Sequence, residues 1–147
     1  MTDLRDLYQE VIIEHTRHPR NFGSLEPRTH EASGYNPLCG DKITVQVRVD
    51  GDCVDDVRFE GDGCSISTAS ASLMTEAVKG RSLAEASELF DRFHRLLTKG
   101  GASDPAALGK LAVMSGVRDY PVRVKCATLA WHTLRSALEA QGDVTTE

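Results

Sequence analysis

The chain carries four cysteines, and three of them stand where a thiolate could do chemistry. Cys39 lies in the loop sequence Pro37-Leu38-Cys39-Gly40-Asp41. Cys64 follows Gly61-Asp62-Gly63, where a turn gives way to a predicted helix, and Cys126 stands near the predicted start of the last helix. At a helix start the free backbone N–H groups and the positive end of the dipole favour a thiolate. Asp41 is two residues after Cys39, a spacing that in extended chain puts both side chains on one side. Three thiolates and one carboxylate make a tetrahedral donor set of the kind zinc accepts, with Zn–S near about 2.3 Å. Their four negative charges exceed those of one Zn²⁺, and Lys42, Arg123 and Lys125 flank the candidates and could offset the remainder. Without metal, the four anions repel and regain protons.

Each cysteine also admits a plainer reading, because a free cysteine often packs in a core as a small hydrophobe. No CxxC pair forces the metal reading. Cys53 opens a strand after a turn and is read as structural. His15 and His18, three residues apart near a helix end, could hold a metal; the favoured reading is that they are solvated and complement the helix C-terminus. His94 interrupts an apolar helix and is read as a partner-face residue. His132 is six residues past Cys126, so its side chain should point away from that cysteine. No Gly-rich loop has the spacing of a phosphate cradle and no Ser-His-Asp order stands out, while cysteine as a nucleophile remains open.

The length of 147 residues predicts one domain over 1–147. Hydrophobic residues make up 40% and charged residues 27%, ordinary values for a globular chain. A net charge of −5 argues against non-specific nucleic-acid binding, which needs a basic footprint. No uncharged apolar run approaches the ~20 residues needed to cross a bilayer. The segment MTDLRDLYQE lacks the basic start and apolar stretch of a signal peptide, so a cytoplasmic location is the expectation. In that compartment cysteines serve more often as ligands, catalytic groups or core residues than as disulfides.

The elements that must position the cysteines follow from periodicity. Leu4, Leu7, Tyr8, Val11 and Ile12 recur at helical spacing up to the stop at Pro19. In Ile43–Val49 the period is two, with Ile43, Val45, Val47 and Val49 on one face. Asp50-Gly51-Asp52 turns the chain into a second strand carrying Val57 and Phe59, which makes a hairpin. A short strand over Ala32 to Tyr35 could extend the sheet. A helix rich in small residues starts near Cys64, with Ile66, Ala69, Leu73, Met74 and Ala77 along one face. Ser82 and Glu85 have capping-box spacing and open a strongly periodic helix from Leu83, closed by Lys99-Gly100-Gly101. Asp104-Pro105 reads as the N-cap and first residue of a short helix through Val113. The last helix begins near Cys126, with an extended approach that puts Arg123 and Lys125 on one side. The order predicts an α+β domain, a small antiparallel sheet packed against several α-helices.

At four segments the chain resembles a known family: HPRNFG at His18–Gly23, NPLCGD at Asn36–Asp41, EGDGCSISTASASLMTEAVKG at Glu60–Gly80, and VRVKCATLAWHTL at Val122–Leu134. They are similar to segments of the SufU/IscU iron–sulfur cluster assembly scaffold family, and most like its SufU branch. The resemblance implies that branch's fold and places its functional positions on Cys39, Asp41, Cys64 and Cys126. IscU-type members carry a histidine just before the third cysteine; here that position is Lys125, which when protonated cannot ligate a metal. The longer segment between Cys64 and Cys126 is also a SufU feature. The implied function is a zinc-dependent sulfurtransferase that takes persulfide sulfur from a SufS-type, pyridoxal-phosphate-dependent cysteine desulfurase and relays it to other Fe–S assembly proteins, with neither nucleic acid nor membrane as partner. The alternatives are a scaffold on which an Fe–S cluster is built and a module whose zinc only stabilises the fold. Within the sulfurtransferase reading Cys39 is the expected acceptor. Its Pro- and Gly-flanked loop can move with little loss of packing, whereas Cys64 and Cys126 are expected to be held at helix starts.

Overall fold

The structure, a computed structural model, describes residues 4–38, 40–98, 105–139 and 144–145. Helix α1 spans Leu4–Arg17, and strands β1, β2 and β3 span His30–Asn36, Asp41–Asp50 and Cys53–Asp62. Helices α2 and α3 span Ser65–Val78 and Leu83–Thr98, a 3₁₀ stretch covers Pro105–Asp119, and α4 covers Pro121–Glu139 before the two-residue strand β4, Val144–Thr145. The sheet order is β3-β2-β1-β4. β1, β2 and β3 pair antiparallel, and β4 adds in parallel to β1. The fold is α+β, as the element order predicts. The expected stop at Lys99-Gly100-Gly101 and the expected N-cap Asp104 lie outside the described residues. Among the described residues no helix is long and apolar enough to cross a membrane.

The alternation in β2 holds as far as Val47, except that Gln46 on the opposite face is also buried, accepting the Leu25 N–H, and the register shifts between Arg48 and Val49. Ile43, Val45 and Val47 are buried, and in register Val45 faces Phe59 and Val47 faces Val57. On β1 the inward positions are Ala32, Gly34 and Asn36. Helix α4 packs on this face across β1 and β2. Gly34 is what lets it come so near, since a Cβ there would run into Thr133 Oγ1 and lie 3.0 Å from Leu129 Cδ1.

Helix α2 departs from the single apolar face expected of it. Ser67, Ala69, Ser70, Ala71, Ser72, Leu73, Met74, Thr75 and Val78 are all buried, because α1, α4, β3 and the 3₁₀ stretch surround the helix. Its small side chains permit that crowding, and their hydroxyls find partners within it. Ser70 Oγ donates to the Ala127 carbonyl of α4 at 2.5 Å, and Thr75 Oγ1 donates to the Ser72 carbonyl at 2.7 Å. The HPRNFG segment is a strap over the same helix. Arg20 N–H donates to Ser72 Oγ, Asn21 Nδ2 donates to Thr75 Oγ1, and Gly23 and Asn21 exchange backbone hydrogen bonds with Phe59 on β3.

His15 is therefore not the solvated side chain its place near a helix end suggests. It is 2% exposed, its Nδ1 lies 2.7 Å from Ser72 Oγ, and its Nε2 lies 3.6 Å from Glu76 Oε1. Burial, reinforced by the Arg20 charge and opposed by Glu76, pushes its pKa below the ordinary imidazole value. His18 stays exposed, as expected.

The capping box at α3 forms as its spacing predicts: Glu85 N–H donates to Ser82 Oγ and Ser82 N–H donates to the Glu85 carboxylate, both at 3.0 Å. Phe93 stacks on Trp131 of α4 with ring centres 4.9 Å apart. His94 and His132 meet edge to face across the same helix pair at 5.9 Å, so His94 faces α4 and His132 faces α3. The predicted short helix is instead 3₁₀, interrupted at Gly109 with φ 56°, a left-handed conformation that glycine adopts without a Cβ penalty.

Two expectations about the last helix are corrected. Helix α4 starts at Pro121, not near Cys126, because proline's fixed φ suits the first helical position and its missing N–H costs nothing there. Residues 122–125 are thus helical rather than extended. At 100° per residue Arg123 and Lys125 do not share a side, and Cys126 sits in the second turn rather than at the start. Cys53 is exposed at the first position of β3, so its side chain is not part of the core.

Two outcomes follow from this packing. Gly34→Ala forces α4 away from β1 and should cost about 1–3 kcal/mol, read as a lower denaturant midpoint with an unchanged slope. Burial disfavours the charged form of His15 in the fold, so below about pH 6.5 the unfolded chain binds more protons and stability falls as pH drops. In metal-free protein, His15→Gln should flatten that acid-side loss; an equally steep loss in the variant would count against the buried imidazole as its source.

Candidate metal centre

Asp41 opens β2, Cys64 is the N-cap of α2, and Cys126 lies in the second turn of α4. Their donor atoms, one carboxylate oxygen and two sulfurs, all lie within 4.8 Å of one another. Among the described residues no other group of three such side chains gathers its donors this closely, and none of the histidines joins one. Cys53 is likewise outside the cluster. Cys39, expected as the remaining ligand, lies outside the described residues.

Local chain chemistry fixes each donor. Cys64 has extended φ and ψ of −70° and 169°, which leaves its own N–H and those of the first turn of α2 free of helical partners. Cys64 N–H donates to Asp41 Oδ1 at 2.8 Å, and Ser67 N–H donates to Cys64 Sγ at 3.4 Å. The carboxylate therefore sits at the positive end of the α2 dipole, where negative charge is favoured. Asp41 Oδ2 lies 3.9 Å from Cys64 Sγ. Gly63 gives room for this: a Cβ there would be 3.2 Å from both Asp41 Oδ1 and Ser67 Oγ. From the other side, Asn36 Nδ2 donates to Cys126 Sγ at 3.5 Å.

The donor set suits a tetrahedral, thiophilic cation. Asp41 and Cys126 are buried and Cys64 is half-buried, so a bound ion would be shielded while one edge stays open. Buried thiolates and a carboxylate this close repel unless a cation or protons neutralise them. Two of the buried side-chain polar atoms without a hydrogen-bond partner, Asn36 Oδ1 and Ser67 Oγ, belong to residues that touch the two sulfurs. A buried polar atom left unmet calls for a physical account.

Of the cations expected to flank the ligands, Lys42 is held over the Tyr35 ring with Nζ 5.6 Å from its centre. Lys125 is half-buried and Arg123 exposed on α4. Asn36 and Ser67 contribute to the site without being ligand candidates by residue type. The signal for Asn36 was available, because period two on β1 puts it on the inward face with Ala32 and Gly34. Ser67 falls three residues after a candidate N-cap, the position whose N–H an N-cap side chain receives.

Comparison with known proteins gives the chain its relatives. The chain is 40% identical over 136 residues to the zinc-dependent sulfurtransferase SufU of Bacillus subtilis (strain 168), covering 92% of each. It is 40% identical over 141 residues to the iron–sulfur cluster assembly scaffold protein IscU of Streptococcus pyogenes serotype M1, covering 95% of this chain and 87% of that one. A crystal structure from Fervidobacterium islandicum AW-1, described as a candidate iron–sulfur cluster assembly scaffold protein for the SUF system, superposes with a TM-score of 0.83 at 36% identity, covering 88% and 94% of the two chains. The model of the NifU-like N-terminal domain matches residues 7–140, and with these relatives it shows that the chain belongs to the NifU-like N-terminal domain family, which includes the SufU and IscU proteins of iron–sulfur cluster assembly.

Proposed function

We propose that residues 1–147 form one domain that works in the cytoplasm as a zinc-dependent sulfurtransferase, taking sulfur from a SufS-type, pyridoxal-phosphate-dependent cysteine desulfurase and relaying it toward Fe–S cluster assembly. The observation that carries the reading is the convergence of Asp41, Cys64 and Cys126 from three separate elements onto one donor cluster within 4.8 Å. With Cys39 as the fourth donor, these residues would hold the zinc, which when bound keeps their thiolates deprotonated at neutral pH. Cys39 is two residues from Asp41, so the extended chain limits their Cα separation to about 7 Å. Lys125 before Cys126, and the sulfurtransferase name of the B. subtilis relative, favour this reading.

The transfer itself is a displacement at sulfur. The Cys39 thiolate attacks the terminal sulfur of the desulfurase persulfide. The persulfide S–S bond breaks, the desulfurase cysteine leaves as a thiolate, and a new S–S bond forms on Cys39 with no net oxidation or reduction. A loop cysteine suits that step, because Asp41, Cys64 and Cys126 stand on strand and helix backbone that packing holds. The relatives named IscU favour a second reading, in which the same donors carry an Fe–S cluster. Metal content and colour separate the two, since a zinc protein is colourless as isolated.

Two measurements test this. Removing zinc with a chelator should lower the melting temperature, because binding to a site absent in the unfolded chain adds about 4 kcal/mol when free metal is a thousandfold above Kd; Cys53→Ala should keep full zinc stoichiometry and the same shift. Incubation with desulfurase and cysteine, alkylation and peptide mass spectrometry should place the added sulfur on Cys39. Persulfide mainly on Cys64 or Cys126, with Cys39→Ser labelled normally, would falsify the assignment.

A further inference from the structure

Asn36 ends β1 with its side chain 0% exposed, on the same face as Ala32 and Gly34. Its Nδ2 donates to Cys126 Sγ at 3.5 Å, while its Oδ1 is buried with no hydrogen-bond partner. A buried carbonyl oxygen left without a donor is a standing cost to the folded state. An apolar side chain of similar size would avoid that cost, so fold stability alone does not account for an asparagine here.

What does account for it is the way donors reach the three ligand candidates. Asp41 and Cys64 take theirs from backbone N–H groups that the start of α2 leaves free. Cys126 stands in the second turn of α4, where backbone N–H groups are committed to carbonyls one turn back. The helix start cannot serve this sulfur, and a side chain from another element does. The same residue is paired in register with Asp41 across the loop 37–40. Asn36 thus ties the base of the Cys39 loop, the carboxylate ligand candidate and the Cys126 sulfur into one unit.

We propose that Asn36 is a positioning residue of the metal centre: its carboxamide directs Cys126 Sγ toward Asp41 and Cys64, and its unpartnered oxygen is the stability given up for that placement. The inference rests on the metal reading of the proposed function. It also assigns the sulfurs unequal freedom, since Cys126 is anchored by a buried side chain on a neighbouring strand.

The test compares wild type with Asn36→Leu, which keeps the branched outline of the side chain, and with the smaller Asn36→Val; both remove the donor and the unpartnered oxygen. Zinc affinity is measured by competition with a chromophoric chelator, and unfolding is measured on the metal-free proteins. The expected result is zinc binding weaker by roughly 10–100-fold, the range for residues that orient metal ligands, with the metal-free unfolding midpoint unchanged or raised. Unchanged zinc affinity overturns the proposal. A metal-free variant that is less stable than wild type, or does not fold, also overturns it, because Asn36 then serves the fold. A wild-type chain that binds no zinc overturns the metal reading itself, whereas zinc-loaded wild type with an equally tight variant removes this inference alone.

Discussion

How closely α2 and α4 can pack decides whether Cys64 and Cys126 share a site. They belong to different elements 62 residues apart in sequence, and nothing local brings them together. Ser70 Oγ reaches the Ala127 carbonyl at 2.5 Å, a contact open only to small side chains on facing helices. Ala127 is the residue after Cys126, and Ser70 lies within two turns of Cys64. A larger residue at either position would part the helices and separate the two sulfurs. The other face of α4 is set by the same rule, with Gly34 letting it lie on β1 beside Asn36.

Small residues leave a helix short of apolar surface, and the fold compensates with polar contacts. Ser72 receives the Arg20 N–H and contacts His15, and Thr75 receives Asn21 Nδ2. The strap from His18 to Gly23 acts as structure, closing α1 and β3 over α2. Each of these bonds contributes about 1 kcal/mol or less on its own. Their joint effect is to leave few buried hydroxyls unmatched. Against that background the unmatched oxygens of Asn36 and Ser67 stand out, because they gather where ligand candidates do.

The site draws on two sources of order. Helix α2 contributes backbone N–H groups and its dipole, which hold Asp41 and Cys64 without any further side chain. Helix α4 offers neither in its second turn, and there Cys126 Sγ receives a side-chain donor, Asn36 Nδ2. In the apolar part of the molecule Phe93 of α3 stacks on Trp131 of α4 and joins the two helices.

Much of this was legible in the chain by itself. Period two in Ile43–Val49, the Asp50-Gly51-Asp52 turn and the capping box at Ser82 each encode a local rule; the hairpin and the capping box form, with a register shift between Arg48 and Val49. The cysteine and aspartate candidates were legible as residue types beside turns and helix starts, and Asp41, Cys64 and Cys126, the three among the described residues, converge. What local rules could not decide was which side chains end up inside. His15 reads as a solvated helix-end residue until α2 lies against it, and Asn36 is sealed from solvent only once α4 covers β1. Periodicity is a property of neighbours in sequence, whereas burial of a polar group is settled by elements that meet only in the folded chain.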